Sequence, residues 1–395
     1  MKVMMINHFP ISGSGSGTYT RNIAVHLMKK DHEVCVVMPE NTLQYSGVPG
    51  AAMYPVFFSF DEPIRGALPF NFPCFTTHPR STTSFFDLDD EQIDAYLSAF
   101  EQVISKAIAE FKPDIIHAQH IWLLAWLARK SGVPYVVTAH GTDLMGFQKS
   151  TRFRHWATEA AQGAKRIITI SNDNDDLVRD LFPGCGGSTV LMRNGYDPER
   201  FFPEKLSQAQ ILTQFDIKPL KYLVLFTGKL THFKGVDVLI DAARLYEGER
   251  PGEIATVIAG DGELVFQLKK QVAKNKLKNV SFLGFLDISQ LRGLYNVADV
   301  SVVPSRREPF GLVAVEALAC GCPVVATNQG GLPDIINDEV GSLVDVDDAF
   351  GLSAAIQREV YRHDRPERGK KAAEYALHKY AQDNTIDTLV EIFKS

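Results

Sequence analysis

The chain predicts an α/β protein made of two successive doubly wound units, and three observations carry that expectation. Short β-branched runs alternate with helix-length segments from the first residues onward, the pattern of a parallel sheet covered by helices on both faces. The pattern restarts after a polar, proline-containing passage at residues 198–219, which reads as the joint between two units. A length of 395 residues suits two domains of ordinary size, each with ample core.

In the first unit, residues 2–9 read as a strand, 10–17 as a loop, 19–30 as a helix and 32–39 as a second strand. Residues 114–119, 134–140 and 166–171 are further β-branched runs separated by helical segments. In the second unit the strand candidates are 222–228, 254–260, 280–285, 299–304, 323–327 and 342–346. Sheets of this kind bind ligands beyond the carboxyl ends of their strands. If two such edges face each other, the ligand lies in the cleft between them. Residues 57–90 break the pattern, being rich in Phe, Pro, Ser and Thr without periodicity. Long loops in compact domains are often binding elements; this one is expected either to shape an acceptor site or to be an irregular surface loop.

Composition narrows the function. Hydrophobic content of 45% and charged content of 22% are those of a globular protein in water. A net charge of -6 speaks against a polyanion-binding surface, so no nucleic-acid partner is expected. Five scattered cysteines (Cys35, Cys74, Cys185, Cys320, Cys322) do not make a disulfide framework and suit a reducing compartment. His117 and His120 have metal-ligand spacing, but no cysteine or carboxylate pattern completes a site, so no metal is expected. The apolar start, residues 3–9, runs at once into a glycine loop rather than a cleavage site. The longest apolar run, 121–128, is too short to span a bilayer. The expected location is cytoplasmic, with peripheral contact at the inner membrane face left open, as is the oligomeric state.

The most informative stretch is 305–334, SRREPFGLVAVEALACGCPVVATNQGGLPD. Glu308 and Glu316 stand eight residues apart around a Phe310-Gly311-Leu312 turn that opens a helix. Leu312, Val315 and Ala319 recur at helical spacing and predict its packed face, with Glu316 on or beside it. A carboxylate among apolar neighbours needs partners; ribose hydroxyls would supply them. Gly321 ends the helix, Pro323 prevents its continuation, and 324–326 is the next strand. Taken alone, the pair also reads as a surface Glu308 and a structural Glu316.

This E-x7-E element, followed by EALACGCPVVAT and a Gly-Gly-x-Pro turn, resembles the family 4 glycosyltransferases, retaining enzymes of GT-B fold that use nucleotide sugars. The resemblance implies two Rossmann-like domains: residues 1–200 on the acceptor side, 201–375 on the donor side, and a last helix within 376–395 crossing back to the first. It also implies that Glu308 meets the donor sugar, Glu316 the ribose, and the Phe310, Gly311 and Leu312 amides the sugar and diphosphate.

Other motifs fall in the family's order. Thr227-Gly228-Lys229 and Lys234-Gly235 end a strand and open a helix, a natural diphosphate cradle. The family usually has arginine where Lys229 stands, and lysine keeps the charge without the bidentate fork. Gly13, Gly15 and Gly17 let backbone approach an anion; the resemblance assigns Gly15 and Gly17 to the donor phosphate. A dinucleotide-binding reading also fits the loop, with Glu40 as ribose acid, but the third close-packing glycine is missing. His140, ending a strand, matches the family's donor-sugar histidine. Asp143 is a weaker candidate nucleophile. Gly260, in Gly260-Asp261-Gly262-Glu263, resembles the turn beside the nucleotide, and Gly284 and Phe285 the stretch whose backbone holds the base. Asn194-Gly195 resembles the interdomain turn. Asp87-Leu88-Asp89 and Asp345-Val346-Asp347 mimic a D-x-D metal site but read as solvated helix-start acids.

The implied reaction is metal-free, retaining transfer from a nucleoside diphosphate sugar to an acceptor hydroxyl, with no cofactor. His140, Lys229, Lys234 and Glu308 are the catalytic candidates, and domain closure would bring the glycine loop and His140 onto the donor. The acceptor, whether a sugar, a lipid-linked sugar or a small metabolite, is not specified. The rival readings are a nucleotide-sugar epimerase or hydrolase of the same fold, a nicotinamide-linked oxidoreductase, and a non-catalytic sensor.

Overall fold

A computed structural model describes residues 1–59, 64–76 and 78–395 and divides the chain into two compact units. Unit 1 comprises residues 1–193 with 385–395, and unit 2 residues 194–384.

Unit 1 holds a seven-stranded sheet in which every neighbouring pair is parallel. Its strands are β1 (Lys2–Ile6), β2 (Glu33–Glu40), β3 (Ala52–Phe57), β4 (Ile115–Gln119), β5 (Tyr135–Ala139), β6 (Arg166–Thr169) and β7 (Thr189–Leu191). The order is β3-β2-β1-β4-β5-β6-β7, so the chain starts at the centre and winds outward twice. The switch point, where ligands bind in such sheets, lies between β1 and β4. β3 and β7 were not among the expected strands, because Tyr54-Pro55 and the three-residue Thr189–Leu191 carry little periodic signal.

Residues 57–90 are not the irregular surface loop of one expectation; residues 60–63 and 77 lie outside the described set. Phe58, Phe72, Phe75, Phe85 and Leu88 are buried and join Tyr96, Phe100, Trp122 and Phe153 in the core on one face of the sheet. Each such phenylalanine contributes about 2–3 kcal/mol of burial, so the passage is core despite its lack of regular structure. Asp89 then caps the helix Asp90–Phe111 through a capping box with Gln92. The opposite face packs Val3, Met5, Ile23 and Leu27 against Ile386, Leu389 and Phe393.

Those last residues belong to the carboxyl terminus. The expected final helix is two, Arg365–Tyr380 and Gln382–Lys394, broken at the extended residue Ala381. The chain returns to unit 1 from Thr385 rather than at 376. The forward joint lies at Arg193/Asn194, before the polar passage; residues 198–219 belong to unit 2 and contain the helix Gln208–Thr213.

Unit 2 holds a six-stranded sheet, also parallel between all neighbours, in the order β10-β9-β8-β11-β12-β13. The strands are β8 (Tyr222–Thr227), β9 (Ile254–Ala259), β10 (Val280–Gly284), β11 (Val300–Val303), β12 (Val324–Thr327) and β13 (Gly341–Val344). Here the switch point lies between β8 and β11. All five cysteines are buried, and no disulfide joins them among the described residues.

Candidate functional site

In unit 2, glycines interlock the loops at the carboxyl edge. Gly228 and Gly260, at φ +147° and +146°, follow β8 and β9. A Cβ on Gly260 would stand 1.8 Å from the Gly228 carbonyl oxygen, and one on Gly262 2.4 Å from that of Leu230. The Gly260 amide donates to the Gly284 carbonyl at 2.8 Å, so the turns after β8, β9 and β10 form one surface. Phe285, next along, is 88% exposed.

Lys234 sits on a single 3-10 turn, His232–Lys234, capped by Gly235 at φ +64°. A Cβ on Gly235 would meet the Pro304 carbonyl at 1.9 Å, so this loop lies directly on the one that follows β11. Across that contact the Lys234 ammonium pairs with Glu308 Oε2 at 2.5 Å, and Ser305 Oγ donates to the same oxygen at 3.2 Å. Glu308 is buried, and its backbone is clamped from behind: the Gly331 amide donates to the Glu308 carbonyl at 2.9 Å. A Cβ on Gly330 would reach within 2.1 Å of that carbonyl. Gly311, at φ +109°, opens the helix Leu312–Ala319; its carbonyl accepts from the Ala314 amide at 2.9 Å, which leaves the Leu312 and Val313 amides without a helical partner. Lys229 is half-buried on the same edge.

Arg306 was not among the expected site residues. Its guanidinium holds both oxygens of Asp237 at 2.8 and 2.6 Å, Asp347 at 2.6 Å and the His232 carbonyl at 2.9 Å. Its amide donates to the Phe233 carbonyl at 2.8 Å. One side chain therefore ties the Lys234 turn, the next helix and the loop after β13 to the strand of chain that carries Glu308. Asp347, read as a solvated acid, is a partner in this clamp and takes φ +62°. An arginine two residues before the first glutamate was the available signal.

Leu312 is half-buried, whereas Ala314, Val315, Ala317, Leu318 and Ala319 are buried, so the helix is enclosed nearly all round rather than on one stripe. That enclosure governs Glu316. No hydrogen bond to its carboxyl exists among the described residues, and desolvation pushes its pKa up to about 8 against a small lowering by Arg200. Tyr295 nearby donates to or accepts from Thr227 Oγ1 at 2.5 Å. The expected apolar neighbourhood is there, without protein partners in it.

In unit 1, Ser14 caps the helix Gly15–Lys29, its Oγ accepting from the Gly17 amide at 3.0 Å. Gly17 is needed for packing, since a Cβ would meet the Pro10 carbonyl at 2.2 Å; at Gly15 there is open space. Gly13, at φ +89°, rests on the His78 ring, which stacks on Phe9. Residues of the 57–90 passage thus support the glycine loop.

His140, half-buried, directly follows β5. Its Nε2 lies 2.8 Å from Gln119 Oε1, and its ring packs against Tyr19 and His120, at 5.1 and 4.8 Å between centroids. Burial lowers the pKa of His8, His117 and His140 to about 3, so these imidazoles are neutral. His117 bonds Thr138 at 2.8 Å, while His120 packs among Phe9, Phe75 and His140. Asp143 is fully buried, its oxygens accepting from the Ile121 and His140 amides at 2.8 and 3.2 Å, which removes it as a nucleophile. Glu40 is buried too and held by both Arg80 nitrogens at 2.8 and 3.4 Å, so it is not available to a dinucleotide ribose.

Comparison with known proteins identifies the class. A family described as "Glycosyl transferase 4-like domain" matches residues 14–195, and "Glycosyl transferases group 1" matches 207–376. The fold is GT-B. The chain belongs to the family 4 glycosyltransferases. A glycogen synthase of Mycobacterium tuberculosis is 33% identical over 293 residues, 69% of this chain and 66% of that protein. A D-inositol 3-phosphate glycosyltransferase of Geodermatophilus obscurus is 30% identical over 81% of this chain and 76% of its own length. An uncharacterized glycosyltransferase of Methanocaldococcus jannaschii is 27% identical, with 100% and 98% covered. Among solved structures, the sucrose-phosphate synthase from Thermosynechococcus elongatus superposes with a TM-score of 0.79 at 20% identity, covering 100% and 98%. Anabaena HepE in complex with UDP-glucose gives 0.76 at 18%, covering 100% and 99%. At such identities the structural likeness speaks for the fold. No helix among the described residues is long and apolar enough to cross a membrane.

Proposed function

We propose that the protein transfers a glycosyl group from a nucleoside diphosphate sugar to an acceptor hydroxyl with retention of configuration. The observation that carries this reading is the Lys234–Glu308 pair, held at 2.5 Å on clamped loops beside a helix start. As the glycosidic C1–O bond breaks, negative charge collects on the β-phosphate, and preorganised donors are worth most where water is excluded. Lys234, Lys229 and the Gly311 and Leu312 amides supply that compensation from the chain itself, and the scheme needs no metal. The C1–O bond to the acceptor forms on the same face, and the acceptor's proton passes to the departing phosphate oxygen. Glu308 holds the donor sugar and Glu316 the ribose. Phe285 and the Gly284 backbone border the base, and Gly228 and Gly260 let the phosphates approach the backbone. Gly15 and Gly17 in unit 1 form the glycine loop toward the phosphate, and His140 meets the sugar.

The nucleotide-sugar reading also draws on the relative solved with UDP-glucose, which shares the fold. An oxidoreductase is disfavoured by the Arg80 clamp on Glu40. The test is turnover of a nucleotide-sugar panel, read as released nucleoside diphosphate, with and without chelator. Lys234→Ala should lower turnover by about 10²–10³-fold while circular dichroism stays native. Unchanged turnover refutes the phosphate cradle, and activity restored only by a divalent ion refutes the metal-free scheme.

A further inference from the structure

The contacts of Gln119 decide how His140 presents its ring. Gln119 lies at the end of β4, fully buried. Its amide nitrogen donates to the His117 carbonyl at 3.4 Å, which turns Oε1 toward His140 Nε2 at 2.8 Å. A carbonyl oxygen accepts only, so the ring nitrogen facing it must carry the proton. A neutral imidazole with hydrogen on Nε2 has a bare lone pair on Nδ1. That Nδ1 has no hydrogen-bond partner among the described residues.

We infer that Gln119 is a positioning residue that locks His140 as its Nε2–H tautomer, so that Nδ1 accepts a hydrogen bond from a sugar hydroxyl. The inference rests on the glycosyl-transfer reading for the identity of the ligand and on geometry alone for the tautomer. The surroundings favour a neutral ring. Tyr19, His117 and His120 face it from the first helix and from β4 and its loop, and none brings a positive or negative charge at neutral pH. The Asp143 carboxyl, three residues on, is engaged by the Ile121 and His140 amides rather than by the ring. Burial holds the ring pKa far below its ordinary value. A neutral acceptor nitrogen suits a hydroxyl and repels an oxyanion, so His140 recognises carbohydrate rather than phosphate.

The experiment is heteronuclear NMR on the full chain labelled with ¹⁵N-histidine, with the His140 signal assigned by its loss in His140→Gln. Between pH 5.5 and 8 the expected signal is an untitrating Nε2–H tautomer. A ring that titrates near pH 6.5, or one protonated at Nδ1, overturns the inference. Gln119→Glu places a carboxylate against Nε2 and should bring His140 into the titrating range with the same nitrogen protonated; an unchanged ring overturns the Gln119 contact. Adding UDP-glucose, GDP-mannose or ADP-glucose should shift the Nδ1 resonance for a donor that binds, whereas the matching nucleoside diphosphate should not. Equal shifts with diphosphate and sugar refute the hydroxyl partner. If no donor binds, the glycosyl reading falls and takes the hydroxyl partner with it, while the tautomer result stands by itself.

Discussion

Glu316 should make nucleotide binding release a proton. Its carboxyl is desolvated by the enclosed helix and has a pKa of about 8, so at pH 7 about nine-tenths of the unliganded chains carry it protonated. Two ribose hydroxyls donating to it favour the ionised form, in which both oxygens accept. Binding at pH 7 therefore expels about 0.9 proton per nucleotide, falling to about 0.1 at pH 9. Affinity should rise with pH by up to about 50-fold between pH 6 and 8 and by about twofold more before it levels off above pH 9.

The same group sets a stability trend of known sign. Its folded pKa is raised, so its contribution is complete below the ordinary value of 4.5 and is lost as pH climbs through about 8. Moving a carboxyl that far corresponds to about 5 kcal/mol at most. Water reaching the half-buried side chain reduces the part expressed in stability to about 2–3 kcal/mol. Glu316→Gln should accordingly outlast the native chain above pH 8 and match it near pH 4.5. Calorimetry in buffers of different ionisation enthalpy counts the protons. Because the nucleotide's own phosphate also titrates, the informative quantity is the ratio of native to Glu316→Gln affinity. A ratio that does not change from pH 6 to 9 would refute both the ribose role and the desolvation argument.

Further outcomes follow from the clamps. Gly260→Ala forces a Cβ within 1.8 Å of the Gly228 carbonyl at a φ of +146° and should cost more than about 3 kcal/mol in urea denaturation. Gly15→Ala meets open space and should leave stability within about 0.5 kcal/mol while weakening nucleotide-sugar binding; retained affinity would remove Gly15 from the site. Arg306→Lys keeps a charge but loses the fork on Asp237, and turnover should fall about tenfold with nucleoside diphosphate affinity little changed. In a Lys234→Ala background the same change should cost almost nothing more, since both act through one turn; additive losses would show that Arg306 acts elsewhere.

Much of this was legible in the chain itself. The β-branched runs located eleven of the thirteen strands found among the described residues, because alternation of buried strands and helices is a short-range pattern. Their ends ran on by one to three residues into loops, as at Phe9, where strand and loop residues share apolar character. The glycines at 228, 235, 260 and 311 stood in the expected turns, and their positive φ gives the reason only glycine serves there. What misled was composition taken as function. The aromatic passage 57–90 also read as an irregular surface loop, because nothing local reveals that Phe75 and Phe85 meet Trp122 and that Phe85 meets Tyr96. The polar passage 198–219 resembled a linker for the same reason.

The sequence by itself determined the family, the order of the loops and the residue types each loop offers to a ligand, since those are properties of neighbours along the chain. Only the tertiary structure decided the desolvation of Glu316, the contact of Gln119 with His140, the grip of Arg306 on Lys234's turn and the return of Thr385–Ser395 to unit 1. Each depends on groups tens to hundreds of residues apart, and on how much water is excluded where they meet. Desolvation and hydrogen-bond direction exist only after the chain has closed around a side chain, so no local pattern can encode them legibly.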